Sequence, residues 1–398
     1  MPIEPAARMA HIGAETAFEV LVRARALEAK GRSVVHLEIG EPDFDTPGHI
    51  IQAAQHALEA GFTHYGPGVG LPELREAVTR YLKRWRNIDV DPSRVVVTPG
   101  GKPVMFFAIL ALINPGDEVL YPDPGFPIYE SMARFVGGKP VPMPLREERQ
   151  FRFDPDEFRS LVSDRTRLII INSPHNPTGS VLTHADLEVI ADVARERDIV
   201  VLSDEIYARI LYRGQHESIA TLPGMLERTI LLDGWSKTWA MTGWRLGFGV
   251  FPPEMMLHID RLISNSVSCT ASFSQQAAIA ALEGPQDAVD AMLAEFSQRR
   301  EVIVNGLNTL PGVTCLAPDG AFYAFPNITA TGFKSKELAD RLLDEAGVAC
   351  LAGTAFGLHG EGYLRFSYAN TLENIGIALE RVRGLLTGAR AQRSASVS

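Results

Sequence analysis

The chain alternates between two hydrophobic textures. Residues 16–30 carry apolar positions at helical spacing and stop at Gly31, a C-cap residue. A short apolar run, VVHLEIG (34–40), predicts a strand. Residues 47–60 and 72–86 predict two helices around a glycine-rich turn, His64 to Gly70. From residue 95 onward, short apolar runs recur at 95–98, 118–121, 139–143, 168–171, 199–203, 229–233 and 245–250. Helical patterns separate several of them, notably 103–113 and 183–196. Near-continuously apolar strands alternating with helices predict a mostly parallel seven-stranded sheet covered on both faces. The prolines in 139–143 place that run at an edge. Further on, 252–268, 272–283 and 286–310 predict helices. The rest mixes strand-like runs at 321–325, 348–351 and 363–368 with helices at 335–346 and 371–386. The polar tail 389–398 predicts frayed chain. The division expected is an N-terminal segment 1–45 that joins a small α+β domain 285–398, and a large α/β domain 46–284.

Composition narrows the class. The 398 residues are 46% hydrophobic and 22% charged, a globular balance. The net charge of −10 argues against nucleic acid or an anionic membrane as main partner. The N-terminal residues lack a signal-peptide core, and no run approaches a membrane span, so a cytoplasmic protein is expected. Cys269, Cys315 and Cys350 are too scattered for a disulfide framework or a metal site, and no histidine pair has metal spacing. His64 and His175 are expected to be local hydrogen-bonders.

Ligands of parallel sheets bind beyond the carboxyl ends of the strands. Five polar or glycine-rich clusters follow the predicted strands there: Pro99-Gly100-Gly101-Lys102, Pro122 to Phe126, Asn172 to Gly179, Asp204 to Tyr207, and Gly234 to Lys237. Only eight residues lead from Lys237 to Arg245, too few for a parallel crossover of about a dozen. Strand 245–250 should therefore run antiparallel and return Arg245 to the same edge. A Gly-Gly helix start offers backbone N–H groups to an anion, and Ser236 and Arg245 suit a phosphate. An aspartate pairs with a protonated ring nitrogen, Tyr and Asn donate to a phenolic oxygen, and Phe126 stacks on a ring. A lysine among cations loses its proton and attacks a carbonyl. Pyridoxal phosphate carries each of these groups. Taken singly, Lys237 also fits a surface lysine, Asp204 a helix N-cap, Phe126 a core residue and Gly100-Gly101 a plain turn.

In order and spacing, GEPDF (40–44), HYGPGVGLPELREAV (64–78), PGGK (99–102), NSPHNPTG (172–179), SDEIY (203–207), SKTWAMTGWRLGF (236–248) and YLRFSYA (363–369) form one set. On these motifs the chain resembles, over residues 8–386, the class I aminotransferases of the fold-type I pyridoxal-phosphate enzymes, in particular the bacterial aspartate aminotransferase-like branch. The resemblance implies pyridoxal 5'-phosphate as cofactor and ping-pong transfer of an amino group between an L-amino acid and a 2-oxo acid. It implies that Lys237 is the Schiff-base lysine and catalytic base, and that Asp204 pairs with the ring nitrogen. Tyr207 and Asn176 are implied donors to the phenolic oxygen. Gly100, Gly101, Lys102, Ser236 and Arg245 are implied at the phosphate end, with Phe126 on the ring. Tyr65 is implied to reach the cofactor of a neighbouring subunit, hence a homodimer with shared sites. Arg365 is implied to clamp the substrate α-carboxylate, with Gly40, Asn172 and Asn176 beside it.

The implied substrates are aspartate or glutamate with 2-oxoglutarate, because in a related branch a lysine at the place of Lys102 reads a distal carboxylate. Pro103, His175 and Phe126 depart from that branch, which keeps aromatic, branched-chain and arginine donors open, as well as lyase chemistry on the same fold. A transcription regulator built on this fold is disfavoured, because the matching motifs begin by Gly40 and leave no room for a DNA-binding domain before them.

Overall fold

The structure is a computed structural model. It describes residues 3–13 and 15–395, with side chains as far as residue 388. The chain begins with α1 (Thr16–Glu28), β1 (Val35–His36), α2 (Gly48–Glu59) and α3 (Pro72–Arg86). Strands and helices then alternate: β2 (Val95–Thr98), α4 (Lys102–Leu112), β3 (Glu118–Asp123), α5 (Ile128–Phe135), β4 (Lys139–Pro144), α6 (Pro155–Leu161), β5 (Thr166–Asn172), α7 (His184–Glu196) and β6 (Val200–Asp204). β7 (Thr229–Gly234) and β8 (Gly247–Val250) complete this run. After them come α8 (Met256–Ser264), α9 (Ser272–Glu283), α10 (Asp287–Asn308), β9 (Tyr323–Ala324), α11 (Ser335–Asp344), β10 (Val348–Ala349), β11 (Leu351–Ala352), β12 (Leu364–Ser367) and α12 (Leu372–Ala395).

The seven predicted strands form one sheet in the order β2-β8-β7-β6-β5-β3-β4. β8 runs antiparallel to both of its neighbours, β2 and β7, and the other pairings are parallel. The short return after Lys237 thus has the consequence expected of it. β4, with three prolines in six residues, is an edge strand, where a missing N–H costs no ladder bond on the open side. β2 and the inner part of β5 are buried throughout, because helices cover both faces. A second core joins β1, β9, β10 and β12 to α10, α11 and α12, so residues 35–37 from near the start pack with chain from beyond 290.

Some expectations change. Strand 34–40 shrinks to β1, with residues 39–41 lining a cavity instead, and 321–325 shrinks to β9. Helix 252–268 is reduced to α8 behind a 3-10 turn at Pro253–Met255. The tail expected to be frayed is helical as far as Ala395; residues 396–398 lie outside the described residues. α5 and α6 were not anticipated. α6 carried a legible start, with Pro155 in the first turn and the Asp154 side chain accepting from the Asp156 and Glu157 N–H groups at 2.9 and 3.0 Å. No helix among the described residues is long and apolar enough to cross a membrane.

A buried ionic cluster ties α3 to the carboxyl ends of β6 and β7. Arg86 donates to Glu205 Oε2 at 2.9 Å and to Asp233 Oδ2, and its side chain is 2% exposed. Glu205 also accepts from Ser203 and Ser218 at 2.9 and 2.6 Å and pairs with His216 at 2.8 Å. Burial alone would raise the Glu205 pKa, but His216 and Arg86 outweigh it and hold the carboxyl at about 2. Removing the arginine strands two carboxylates in the interior. Arg86→Met should therefore cost about 3–5 kcal/mol in denaturant unfolding of the protein. A loss below about 1 kcal/mol would show that the cluster does not hold these strand ends.

Candidate active site

The site is built where the strands end. β2 finishes at Thr98, whose hydroxyl donates to Gly100 O at 2.6 Å, closing a tight turn. Gly100 sits at φ +89°, a conformation that favours glycine. A Cβ on it would run into the Arg245 guanidinium. Gly247, the first residue of β8, lies against the Gly100-Gly101 backbone, and any Cβ there would strike it. This contact presses the antiparallel strand onto the turn and brings Arg245 to the start of α4. Arg245 Nη1 donates to Thr242 O at 2.9 Å. The N-terminus of α4, Ser236 and Arg245 thus put helix N–H groups and positive charge on one wall of the same cavity.

Three residues on from β7's last residue stands Lys237. Its Nζ donates to Gly40 O at 2.5 Å and lies 6.0 Å from the ring centres of Tyr207 and Phe322. Withdrawal from water, aided by Arg365 and Arg245 and opposed by Glu41 and Glu15, pulls its pKa down to about 8. Asp204 ends β6 and is 8% exposed. It accepts from the Tyr129 hydroxyl at 2.7 Å and from Ile206 N at 3.2 Å. Burial prevails over both bonds and pushes its pKa up to about 6. The Tyr207 and Tyr323 hydroxyls meet at 2.6 Å, both buried.

Beyond β5 the peptide bonds Ser173-Pro174 and Asn176-Pro177 are cis. Asn172 Nδ2 donates to Asp204 O at 2.9 Å, and Asn172 Oδ1 accepts from Asn176 N at 2.9 Å, which couples this loop to β6. His175 pairs locally with Thr178 at 2.8 Å, as expected; its burial drops its pKa to about 3. Arg365 projects from β12 between the rings of Tyr323 and Phe356, 4.6 and 5.0 Å from their centres. It donates to Asn176 Oδ1 at 3.2 Å and to Glu38 O, while its buried Nε has no partner. A buried guanidinium with an open N–H is suited to an incoming carboxylate.

A cavity of about 520 Å³ gathers these groups. Gly40, Gly101, Lys102, Phe126, Asn172, Asn176, Asp204, Tyr207, Ser236, Lys237, Arg245 and Arg365 all line it. Gly100 stands just behind, against Arg245. Phe126 packs on the core edge-on to Tyr129, ring centres 5.7 Å apart, and also faces the cavity, so it is both a core and a wall residue. Tyr65 is not in this cavity; it is 91% exposed. Sequence reasoning missed Glu15, Tyr129 and Tyr323, which also line it. Tyr129 lies on the unanticipated α5, and Tyr323 and Glu15 come from segments whose placement depends on chain-distant packing. No cluster of His, Cys, Asp and Glu among the described residues is arranged to hold a metal ion.

Asp204 sets a pH dependence. Its carboxyl keeps a proton in the fold that the unfolded chain has released, so unfolding releases a proton and stability falls as pH rises from about 4 to 6. Asp204→Asn removes that loss. The ligand-free variant should be about 2 kcal/mol more stable than the parent protein at pH 7 and equal to it below pH 4, by denaturant titration. Tyr129→Phe, which deletes a donor to the carboxylate, should deepen the parent's loss.

The family model "Aminotransferase class I and II" matches residues 32–382. An aspartate aminotransferase of Pyrococcus abyssi is 45% identical over 359 residues, 89% of this chain and 92% of that protein. Aromatic-amino-acid aminotransferase 2 of Thermococcus litoralis is 44% identical over 357 residues, 89% of this chain and 92% of its own. Among solved structures, the aromatic aminotransferase of Pyrococcus horikoshii superposes with a TM-score of 0.88 at 44% identity, covering 93% of this chain and 99% of that one. The sheet order, the cavity and these matches agree: the chain belongs to the class I and II aminotransferases, fold-type I enzymes that use pyridoxal 5'-phosphate.

Proposed function

We propose that this aminotransferase exchanges the amino group of aspartate or glutamate with 2-oxoglutarate, using the cavity residues in the following roles. The observation that carries the reading is the convergence, in one cavity, of an amine with a lowered pKa, a buried carboxylate and an unsatisfied guanidinium. The donor set fits the cofactor. The Gly100-Gly101 turn, the backbone at Lys102, Ser236 and Arg245 would hold its phosphate. Asp204 would hold the proton of its ring nitrogen, and a carboxylate already burdened by burial would gain from that cation. Tyr207 and Asn176 would donate to its phenolic oxygen, and Phe126 would pack on the ring.

When bound, pyridoxal 5'-phosphate supplies a carbonyl that condenses with amines and a conjugated ring that accepts electrons from the substrate Cα. Lys237 Nζ would hold the cofactor through its carbonyl carbon and, when the substrate amine takes its place, would serve as the base that carries the substrate Cα proton to that carbon. A pKa near 8 leaves a usable fraction of free amine at neutral pH. Arg365 would clamp the α-carboxylate through its open Nε edge, held in register by the Glu38 carbonyl and by Asn176, which Asn172 fixes, while the Gly40 carbonyl holds Lys237 beside it. A Cβ at residue 40 would run into the Tyr323 hydroxyl, so glycine lets the backbone approach.

The substrate class is supported by Lys102 in the wall, a cation for a second carboxylate, and by the name of the Pyrococcus abyssi relative. A second reading, uncharged aromatic donors, is favoured by Phe18, Phe126 and Phe356 in the same wall and by the Thermococcus relative. The same proposal places cofactor binding in a large domain, residues 46–284, and a small domain in 285–398 joined by the segment 1–45. It includes a homodimer in the cytoplasm. Tyr65 supports the dimer: it stands in solvent on a loop where Gly66 and Gly68 approach Ser272 and Ser268, the latter next to exposed Val267. Sedimentation should give twice the chain mass, and Tyr65→Ala should loosen cofactor retention.

The deciding experiment screens amino donors against 2-oxoglutarate, pyruvate and oxaloacetate. Aspartate and glutamate should lead. Release of ammonia without an oxo-acid acceptor would point to a lyase instead. Lys237→Ala should abolish the visible absorbance of the covalently held cofactor and lower turnover by a factor on the order of 10³ or more. Retention of that band would refute the role given to Lys237.

A further inference from the structure

The wall of the cavity holds four cations, Lys102, Lys237, Arg245 and Arg365. Three have work already: Arg245 lies on the Gly100 turn, Lys237 at Gly40, and Arg365 between Asn176 and the Glu38 carbonyl. Lys102 is the cation left for a second carboxylate. It is already paired, through Nζ, with the carboxylate of Glu15. That partner comes from 87 residues away, just ahead of α1.

Glu15 stands at the N-cap of α1, where short Ser, Thr, Asp and Asn side chains accept the first free N–H groups of the helix. The longer glutamate makes no capping bond, and its carboxylate reaches Lys102 instead. Its side chain is 19% exposed, against 50% for Lys102, so the carboxylate is the more enclosed member of the pair. Both residues line the cavity, together with Thr16, Ala17 and Phe18 from the start of α1. Its charge is also felt by Lys237, Tyr323 and Arg365, which places it within the reacting space rather than outside it.

We propose that Glu15 is a specificity-determining residue: an internal carboxylate that occupies the distal-carboxylate position on Lys102 and must be displaced by a dicarboxylic substrate. Substrates with uncharged side chains meet a neutral ion pair flanked by Ala17, Phe18 and Phe126 and need displace nothing. Aspartate, glutamate and 2-oxoglutarate gain Lys102 only by expelling Glu15 into solvent. One cavity thus accepts both kinds of side chain, and the strength of the Lys102–Glu15 pair sets their ratio. This rests on the reading of the cavity as an amino-acid and oxo-acid site.

The test uses the cofactor-loaded enzyme and two unreactive four-carbon acids, succinate and butyrate, which differ in the second carboxylate. Their affinities are measured by calorimetry. A partly exposed ion pair is a weak competitor, so Glu15→Gln should tighten succinate by about fivefold and leave butyrate within about twofold. Glu15→Ala should do the same, which guards against an effect peculiar to the amide. Adding Lys102→Met should erase the succinate gain. In turnover, Glu15→Gln should lower KM for 2-oxoglutarate and leave KM for pyruvate in place. An unchanged succinate-to-butyrate ratio, equal tightening of both acids, or a gain that survives Lys102→Met would overturn the proposal. If the parent enzyme transfers no amino group from any donor, the proposed function fails instead, and the succinate-to-butyrate ratio still reads the Glu15 effect.

Discussion

The burial of Arg86 between Glu205 and Asp233 is the contact on which the geometry of the site depends. A guanidinium taken out of water is expensive unless carboxylates meet it, and here the two carboxylates come from the ends of adjacent strands. One is the residue after Asp204, the other stands four residues before Lys237. Loosening the cluster would free the ends of β6 and β7 together. Asp204 and Lys237, both displaced from their ordinary acid–base range, are therefore anchored from behind by groups that never enter the cavity. Tyr81, packed on the same guanidinium, extends that anchor into the hydrophobic core of α3.

Within the cavity, several groups sit in environments that disfavour their charged form. Burial raises Asp204 and lowers Lys237 and Arg365. In the roles proposed above, a ligand with a protonated ring nitrogen and carboxylates would relieve these mismatches, and the α4 N-terminus, Ser236 and Arg245 would take its phosphate. The free energy for binding is in this sense stored in the uncompensated polarity of the protein alone. Glu15 and Glu41 offset part of the positive field. An acidic protein of net charge −10 still presents a locally cationic pocket, because four cations converge in its wall.

Much of the architecture was legible along the chain. The seven strands, the proline-rich edge and the antiparallel return of β8 follow from short apolar runs, ring constraints and a loop too short to cross over. The clusters flanking those strands hold ten of the residues that line the cavity, and the family resemblance added Gly40 and Arg365. Tyr65 stood apart because its proposed role needs a second chain. Tyr129 was missed because α5 is short and its helical spacing is masked by the preceding Gly-Phe-Pro. Tyr323 was missed although its strand was expected, because its hydroxyl matters through Tyr207, which lies 116 residues away.

The sequence by itself determined the covalent inventory and its local placement: a lysine, an aspartate, a glycine pair and two arginines at the ends of apolar runs, in the order of one enzyme family. Those features are set by neighbours a few residues apart, which spacing and side-chain chemistry can report. The tertiary structure decided what each group experiences. Asp204 is driven upward by enclosure, Arg365 keeps one N–H unsatisfied between two rings, and Lys102 is met by a carboxylate from the far side of the cavity. Burial and charge pairing across tens or hundreds of residues are properties of the packed chain, because desolvation and Coulomb energies depend on distance in space and not on distance along the sequence.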